Sequence, residues 1–434
     1  MHVIYDNPLP SDWLEEPLGK LVETKRGCTW SKEQERDRPA EGTIPVIRIP
    51  NIQASLDLTD LLHIHGLSVD QRTSSAVTKG WTLMVGSNGN PKRIGDSVLM
   101  EEDREMIFAS FLFALRPKLD ESKISDEFMA CWLHAHRVHE FVSETSQMTT
   151  GLANISWGAC RKLPVRFPKC SDEQNRIAET LKSADDHIRA LEDQIRKAER
   201  MKTALLQSLF VVGLPGGNSS TIESKIGPVP SHWAFQRLGK TFREPPFNGV
   251  SPESRPNPPG TPILNVSCVN DGICSVDAVT YVDVDEATIR ANSAEKGDFF
   301  VLRGNGNRDY VGTGGWLRVD PPENCIFSDK LIRLRFDNSR VVEGFYPYLW
   351  QSRSFQIRLQ SKAQSSSGLW MMNKRDIARE WVALPPKDEQ TQMVEILDSA
   401  SETLAALQGQ LTAARRVKQS LLQNLLTGKI RLKA

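Results

Sequence analysis

The sequence has few cysteines and no long apolar run, and both shortages exclude whole classes of protein. Its 434 residues include seven scattered cysteines and no C-x-x-C pair, which favours reduced thiols over a disulfide framework or a zinc site. No apolar stretch approaches the roughly 18 residues that span a bilayer. The N-terminus "MHVIYDNPLPSDW" lacks the basic and apolar segments of a signal peptide. We therefore expect a cytoplasmic protein without membrane contact.

The sequence also lacks net charge. Lysine plus arginine number 54 and aspartate plus glutamate number 54, so the molecule as a whole has no strong field to hold a polyanion. Any binding of nucleic acid must then come from local patches or from a partner. The length exceeds that of one ordinary core, and the 39% hydrophobic content predicts two or three globular domains.

Motifs for nucleotide, metal and methyl-transfer chemistry are missing or incomplete. There is no G-x-x-x-x-G-K-[ST] loop, which argues against an ATPase or translocase. The stretches "NPPG" (257–260) and "DPPE" (320–323) lack the aromatic residue that an adenine methyltransferase motif requires. His136 and His139 could share a helical face, but no further ligand follows at regular spacing, so we expect no metal site.

One feature organises the chain, a long segment that occurs twice. The segments "DEQNRIAETLKSADDHIRALEDQIRKAERMKTALLQSLF" (172–210) and "DEQTQMVEILDSASETLAALQGQLTAARRVKQSLLQNLL" (388–426) align without a gap and are identical at about 17 of 39 positions. Proline precedes both and aspartate opens both, as at the start of a helix. The sequence therefore predicts two matching long helices.

The apolar residues of both segments follow a 3-4 spacing, which is typical of a coiled-coil seam. The predicted seam consists of Leu181, Ile188, Leu191, Ile195, Lys202 and Leu205 in the first helix and Leu397, Leu404, Leu407, Leu411, Lys418 and Leu421 in the second. We expect the two seams to pair as an antiparallel coiled coil, with the two lysines as register markers. The alternative is that each helix packs only on its neighbouring globular domain.

The duplication extends into the regions before each helix. "PSDWLEEPLGK" (10–20) returns as "PSHWAFQRLGK" (230–240), "SNGN" (87–90) matches the end of "RGNGN" (303–307), and "TTGL" (149–152) matches "SSGL" (366–369). The repeated Trp13 and Trp233 are expected in domain cores rather than on a binding surface.

Short β-branched and aromatic runs separated by glycine, asparagine and proline predict strands in the globular regions. Examples are "TIPVIRI", "MIFASFLFAL", "GDFFVL" and "KLIRLRF", and helices are expected at "DEFMACWLHAHRVHEFV" and "GFYPYLWQS". The fold class is α+β, with two mixed domains, two long helices and an internal pseudo-two-fold. The predicted boundaries are 1–167 for the first globular domain, 168–212 for the first helix, 213–229 for a linker, 230–384 for the second domain, 385–428 for the second helix and 429–434 for a tail.

Antiparallel pairing would hold the two globular domains at opposite ends of a rod. At about 1.5 Å per residue the repeated segment spans roughly 58 Å, which exceeds one helical turn of DNA. Such a molecule suits a target divided into two parts.

In this order of elements the sequence resembles the specificity (S, or HsdS) subunits of type I restriction-modification enzymes. The resemblance is carried by the paired "PSxW....LGK" openings, the "GNGN"-type loops, the "GL" segments, and the "P-x-x-DEQ" starts and "K..LLQ.L" ends of the helices. It implies a non-catalytic subunit with two target-recognition domains, each reading one half of a bipartite, asymmetric site on double-stranded DNA. It also implies helices that act as a spacer and as the dock for two methyltransferase (M) subunits, and an association with restriction translocase (R) subunits. No cofactor is expected in this chain, whereas the methyltransferase would use S-adenosylmethionine and the restriction subunit ATP and Mg²⁺.

Loop residues of both globular regions are the candidates for DNA contact, because arginine and lysine suit guanine or phosphate, and asparagine suits adenine. The first region contributes Arg48, Ser87, Asn88, Asn90, Lys92, Arg93, Thr149 and Thr150, and the second contributes Asn265, Arg303, Asn305, Asn307, Arg308, Lys362, Ser365 and Ser366. The "GNGN" loops could instead serve only as hairpin turns. Since the two regions differ, the half-sites should differ.

Two other functions remain open from the residues alone. The chain could be a methyltransferase or nuclease whose catalytic motif is unrecognised, since short Asp/Glu-x-Lys motifs occur by chance in any long chain. It could also be a coiled-coil scaffold for other proteins, without a role on DNA.

Overall fold

The computed structural model describes residues 5–53, 55–118, 123–149, 151–215, 220–270, 272–366 and 368–432. It divides into two compact units, Met1–Glu192 with Gly409–Ala434 (unit 1) and Asp193–Gln408 (unit 2). The boundary crosses both long helices, so each helix contributes one end to each unit.

Each unit contains both helices and strands, in agreement with the predicted α+β class. The helices are α1 (Leu18–Leu21), α2 (Val69–Ser75), α3 (Asp126–Leu133), α4 (His136–Glu144), α5 (Trp157–Cys160), α6 (Ser171–Val212), α7 (Glu286–Ala291), α8 (Phe345–Gln351), α9 (Arg353–Gln360), α10 (Lys374–Ala378) and α11 (Lys387–Leu425). The two long helices, α6 and α11, begin within a residue of the predicted "DEQ" starts.

The described residues of unit 1 form four small sheets. Its strands are β1 (Trp13–Pro17), β2 (Val22–Arg26), β3 (Glu35–Arg36), β4 (Ile44–Ile47), β5 (Leu62–Ile64), β6 (Ala76–Val77), β7 (Thr82–Val85), β8 (Ser87–Asn88), β9 (Ser97–Leu99), β10 (Met106–Phe108), β11 (Leu112–Pro117), β12 (Gln147–Thr149), β13 (Leu152–Asn154) and β14 (Pro164–Pro168). The strand orders are β1-β14, β3-β5-β4-β10-β6, β2-β11-β7-β9 and β12-β13-β8.

Unit 2 repeats this plan with one extra hairpin. Its strands are β15 (Thr221–Ser224), β16 (Gly227–Pro230), β17 (Ala234–Arg237), β18 (Phe247–Asn248), β19 (Ser254–Arg255), β20 (Thr261–Leu264), β21 (Val269–Asn270), β22 (Gly272–Cys274), β23 (Thr280–Val282), β24 (Phe299–Leu302), β25 (Gly304–Asn305), β26 (Gly314–Trp316), β27 (Ile326–Phe327), β28 (Leu331–Leu334), β29 (Gln364–Ser366), β30 (Leu369–Met371) and β31 (Trp381–Leu384). The orders are β15-β16, β17-β31, β18-β28-β24-β26-β22-β21, β19-β23-β20-β27 and β25-β30-β29.

The predicted strands and short helices are confirmed, with two refinements. "MIFASFLFAL" forms two strands, β10 and β11, because a turn interrupts it at 109–111. The helix expected at 126–142 breaks after Leu133 into α3 and α4. Trp13 and Trp233 are buried, as expected for core residues.

The predicted seam appears in the burial of α6 and α11. Between Leu404 and Leu421, buried or half-buried residues recur at intervals of three and four, and the residues between them are exposed. In unit 1 the helix segments run antiparallel, since Asp185 pairs with Lys418 and Glu192, further along α6, pairs with Arg415 at 2.8 Å. In each unit, seam residues also belong to the hydrophobic core. Each long helix therefore packs on a globular domain, which was the alternative to helix pairing, as well as carrying the seam.

A buried glutamine attaches each long helix to its globular domain. In unit 1 the Gln174 amide donates to the carbonyl oxygens of Lys123 at 2.7 Å and Pro168 at 2.8 Å, and its oxygen accepts from the Ser125 N–H at 2.7 Å. In unit 2 Gln390 repeats this pattern. The glutamine of the repeated "DEQ" therefore satisfies one backbone group just before its helix and two in a loop about 50 residues earlier in the chain.

The end of each long helix packs beside the repeated tryptophan of a unit. Gly213 follows α6 with φ 84°, and Gly428 follows α11 with φ 73°, the left-handed conformation that commonly ends a helix. An added Cβ would lie 2.9 Å from a Glu389 oxygen at Gly213 and 2.7 Å from Pro10 at Gly428. Both positions therefore require glycine for its conformation and for its small size.

The predicted linker and the predicted tail both make contacts that the sequence did not reveal. The linker 213–229 includes strand β15 and most of the hairpin β15–β16, which is paired from Thr221 to Pro230, so it is not only a flexible connection. The stretch 216–219 of that linker lies outside the described residues. The tail is held as well, because the Arg431 guanidinium donates to Asp12 at 2.6 and 2.7 Å and to Glu173 at 2.7 Å.

Candidate nucleic-acid interface

A small three-stranded sheet in each unit gathers several of the predicted contact residues. In unit 1 strand β13 lies between β12 and β8, and in unit 2 strand β30 lies between β29 and β25. The register places Asn88, Ala153 and Met148 in one row of unit 1. The matching row of unit 2 consists of Asn305, Trp370 and Ser365. Residues paired directly across strands share a face of the sheet, so the "GNGN" and "GL" segments meet on it.

The asparagines of these loops use their side-chain oxygens locally. The Asn88 oxygen accepts from the Asn90 N–H at 2.7 Å, and the Asn90 oxygen accepts from the Lys92 N–H at 3.1 Å. Asn305 and Asn307 do the same in unit 2, at 2.9 and 3.0 Å.

Such an asparagine still presents its NH₂ group, while its oxygen is already engaged. Its free NH₂ group therefore suits a phosphate oxygen or an acceptor on a base better than the predicted contact with adenine, in which the asparagine oxygen would also take part. These hydrogen bonds close local turns, and the tips of the turns are exposed at Gly89 and Gly306.

In unit 1 the predicted residues fall into accessible and engaged groups. Lys92 is exposed, whereas Arg93 is held by Asp96 at 3.0 Å and by the Ile52 carbonyl at 2.8 Å. The Ser87 hydroxyl donates to the Asn154 side chain at 2.8 Å. Arg93 therefore supports the loop from inside.

The remaining candidates of unit 1 lie apart from this row. Arg48 is half-buried, its guanidinium is 3.9 Å from Asp60, and its Nε has no hydrogen-bond partner among the described residues. Thr149 belongs to β12, at the edge of the sheet, but its side chain lies outside the described residues. Thr150 lies outside them altogether.

On the three-stranded sheet of unit 2, an arginine stacks on a tryptophan, and the matching positions of unit 1 are Pro91 and Ala153. The guanidinium of the exposed Arg308 lies 5.0 Å from the centre of the Trp370 ring. Ser365 is exposed on β29, next to Trp370. Ser366 follows it on the same strand, with a side chain outside the described residues.

Three candidates of unit 2 have structural partners. The Lys362 ammonium pairs with Glu380, Arg303 donates to the Asp329 carbonyl at 3.2 Å, and Asn265 caps a turn by accepting from the Ser267 N–H at 2.9 Å. Burial disfavours the ionised Glu380 carboxyl, but hydrogen bonds from its cationic neighbours outweigh burial and hold its pKa below the usual range. The expected DNA contact of Lys362 thus competes with an ion pair on a buried carboxylate.

Sequence reasoning did not select Trp370 or Tyr310. Tyr310 is 55% exposed and follows Arg308 by two residues in the turn 308–310. The available signal was the "SSGLW" stretch, whose tryptophan directly follows the repeated "GL".

The histidines lie beside the sheet rather than on it. His134 is exposed as a residue, and its ring nitrogen lies 2.6 Å from the Ser97 carbonyl oxygen, within hydrogen-bond distance. His139 lies 3.1 Å from Asp96, and the side chain of His136 is outside the described residues. Within the described ranges, no group of three or more histidine, cysteine or acidic side chains could hold a metal ion. In the same ranges, no helix has the length and apolar character to cross a membrane.

Comparisons with known proteins agree with this architecture. Residues 10–200 match the family model described as "Type I restriction modification DNA specificity domain". The chain is 26% identical over 426 residues to the EcoKI specificity subunit of Escherichia coli, covering 96% of this chain and 88% of that one. It is 23% identical over 421 residues to the StySPI specificity subunit of Salmonella potsdam, with the same coverage.

Solved structures share the fold over nearly the whole chain. The S subunit of a type I system from M. genitalium superposes with a TM-score of 0.57 at 16% identity, covering 97% of both chains. A second structure, titled for complex assembly and conformational transition of the type I R-M system, gives 0.58 at 15% identity and covers 98% of this chain and all of that one.

Proposed function

Because the chain belongs to the family of type I restriction-modification specificity subunits, we propose that each unit reads one half of a bipartite, asymmetric DNA site. The observation that carries this proposal is the duplicated three-stranded sheet, which has the same loop asparagines in both units and different neighbours, Ala153 and Trp370. The shared residues suit a common DNA backbone, and the unlike residues suit different bases.

The helices α6 and α11 are the proposed spacer between the half-sites and the dock for two methyltransferase subunits. The zero net charge supports a need for partners, because phosphate contacts supply much of the affinity for DNA. Restriction translocase subunits would join this complex. S-adenosylmethionine would be bound by the methyltransferase, and ATP and Mg²⁺ by the restriction subunit, with none held by this chain.

The proposed role is non-catalytic. Incubating the purified chain with DNA, a labelled methyl donor and Mg²⁺ tests the point. Methylation or cleavage without any partner would favour the enzyme alternative.

DNA recognition is tested by footprinting with and without the methyltransferase subunits, after sequencing of the methylated positions in the host genome defines the site. We expect weak binding by the chain alone, and two protected patches with tight binding by the complex. Equal affinity in both cases would contradict the proposed need for partners. A complex that protects no DNA would favour the scaffold alternative.

The spacer role has a separate test. Insertion of one heptad at matching positions of α6 and α11 should lengthen the gap between the half-sites and leave both half-site sequences unchanged. The control is a variant with the same number of residues added after Ala434, which leaves both helices and Arg431 in place. A constant gap in the lengthened protein would refute the spacer role alone.

A further inference from the structure

Arg308 and Trp370 make a preformed pair on the three-stranded sheet of unit 2. Trp370 is half-buried and packs against the hydrophobic cluster of its unit, so the ring is held from one side. The guanidinium of Arg308 lies over this ring, 5.0 Å from its centre, and the residue is exposed. The stack therefore restricts the orientation of an arginine that still faces solvent.

Arg308 differs from most of the other cationic candidates in having no competing partner. Arg93 is held by Asp96 and Lys362 by Glu380. Within the described part of the chain, Arg308 has neither an ion pair nor a side-chain hydrogen bond, and its contact is the ring. Its N–H groups are therefore available to a ligand.

The pair is present in one unit only. Aligning "SNGNPKR" (87–93) with "GNGNRDY" (304–310) places Pro91 opposite Arg308, and aligning "TTGLAN" (149–154) with "SSGLWM" (366–371) places Ala153 opposite Trp370. Both members are thus replaced together. A feature that both units share cannot distinguish two half-sites, whereas this pair can.

We propose that Arg308, oriented by Trp370, donates two hydrogen bonds to the N7 and O6 atoms of one guanine in the half-site read by unit 2. This inference rests on the proposed function and adds a base and a residue to it. The planar guanidinium matches these two acceptors in the major groove, where guanine is the usual partner of arginine. Unit 1 reads its half-site without this contact.

Phosphate is the competing ligand, and the structure favours guanine. The phosphate backbone is the same at both half-sites, so a phosphate contact would serve both units equally, yet Pro91 stands in the matching position. A phosphate can also be bound by a mobile point charge, whereas the stack on Trp370 fixes the orientation of the planar guanidinium of Arg308. An oriented plane is useful where two acceptors lie side by side on a base edge.

The test uses the complex of the full chain with its methyltransferase subunits. Each guanine of the methylated site is replaced in turn by 7-deazaguanine, which lacks N7, or by inosine, which keeps N7 and O6. Affinity is measured for the wild type, Arg308→Ala, Arg308→Lys and Trp370→Phe. Arg290→Ala, an exposed arginine on α7 paired with Glu286, is the matched control.

We expect 7-deazaguanine at one position of one half-site to weaken wild-type binding roughly tenfold, and inosine there to have little effect. Arg308→Ala should bind the natural site about tenfold more weakly and should be insensitive to 7-deazaguanine at that position. Arg308→Lys should recover only part of the loss, because lysine lacks the paired donors. The affinity of Trp370→Phe for the natural site should lie between those of the wild type and Arg308→Ala. The affinity of Arg290→Ala should equal that of the wild type.

Two results would overturn the assignment. If Arg308→Ala weakens binding to all probes equally and lowers the salt dependence by about one phosphate contact, the ligand is phosphate. If Arg308→Ala binds every probe as the wild type does, the residue does not touch DNA. Failure of the proposed function looks different, because the wild-type complex would then show no preference for the methylated site over unrelated DNA.

Discussion

Replacing Gln390 tests how the repeated helices are attached to their domains. Gln390 is 1% exposed. Its amide donates to the carbonyl oxygens of Pro385 at 2.9 Å and Arg340 at 3.3 Å, and its oxygen accepts from the Val342 N–H at 2.8 Å. Gln390→Ala leaves three backbone groups without these partners. At about 1–3 kcal/mol for a buried group left unsatisfied, and allowing for water that enters the space, we expect a loss of about 3 kcal/mol.

Two measurements check this prediction. The thermal midpoint of unfolding should fall by several degrees, at roughly 2–4 °C per kcal/mol for a unit of this size. Hydrogen exchange resolved at the Val342 amide should accelerate by on the order of 100-fold, since that loss is local. Gln392→Ala is the matched control, because Gln392 is exposed on the same helix and should change stability by no more than about 0.5 kcal/mol.

The repeat provides an internal check. Gln174→Ala should cause a similar loss in unit 1 and should accelerate exchange of the Ser125 amide, whose acceptor is the Gln174 oxygen at 2.7 Å. The reasoning is refuted if both alanine variants unfold within about 0.5 kcal/mol of the wild type, or if exchange at these amides does not change.

Three further predictions concern charged groups. Arg431→Met should destabilise unit 1 by about 3 kcal/mol in thermal unfolding, because the carboxylate of the buried Glu173 loses its partner; an unchanged midpoint would mean that the tail is not anchored. The pKa of Glu380 is lower in the folded state than in the unfolded chain. Its ionised carboxylate therefore stabilises the fold at pH values above the unfolded pKa of about 4.3. This stabilisation is lost as the pH falls through the lower pKa of the folded state. The difference between Glu380→Gln and wild type in urea unfolding should therefore shrink below about pH 4, and a difference that is constant with pH would contradict this. Lys418→Leu removes an ion pair from the seam and should change the free energy of unfolding by no more than about 1 kcal/mol. Crosslinking between α6 and α11 should detect a shifted register. If the register is unchanged, Lys418 is not a register marker.

Much of the architecture is encoded locally and could be predicted. The 3-4 spacing of leucines, the proline and aspartate at the helix starts, and the β-branched runs between glycines each involve neighbours in the chain, and neighbours determine helix and strand periodicity. The duplication then added what single segments cannot provide, because the same pattern at 172–210 and 388–426 implied two equivalent units.

The sequence did not reveal which partner each single side chain contacts, because these partners are distant in the chain. Arg93 and Lys362 were selected as DNA contacts for their charge, yet each meets a carboxylate in its own unit. The tail was predicted as a separate element, but Arg431 pairs with Asp12 at the other end of the chain. Charge and exposure of a residue type do not reveal such a partner, since an ion pair depends on three-dimensional distance.

The sequence by itself determined the two-unit plan, the long helices and their seam, and the loops that carry the candidate residues, because each depends on patterns of adjacent residues. Only the tertiary structure decided which of those residues meet. It brought Asn305, Trp370 and Ser365 into one row from separate strands. It also placed Arg308 on a ring 62 positions along the chain, and among the described residues no side-chain hydrogen bond or ion pair engages its guanidinium. The physical reason is that pairing of strands and burial of a ring are set by the packed core as a whole, and no local pattern records them.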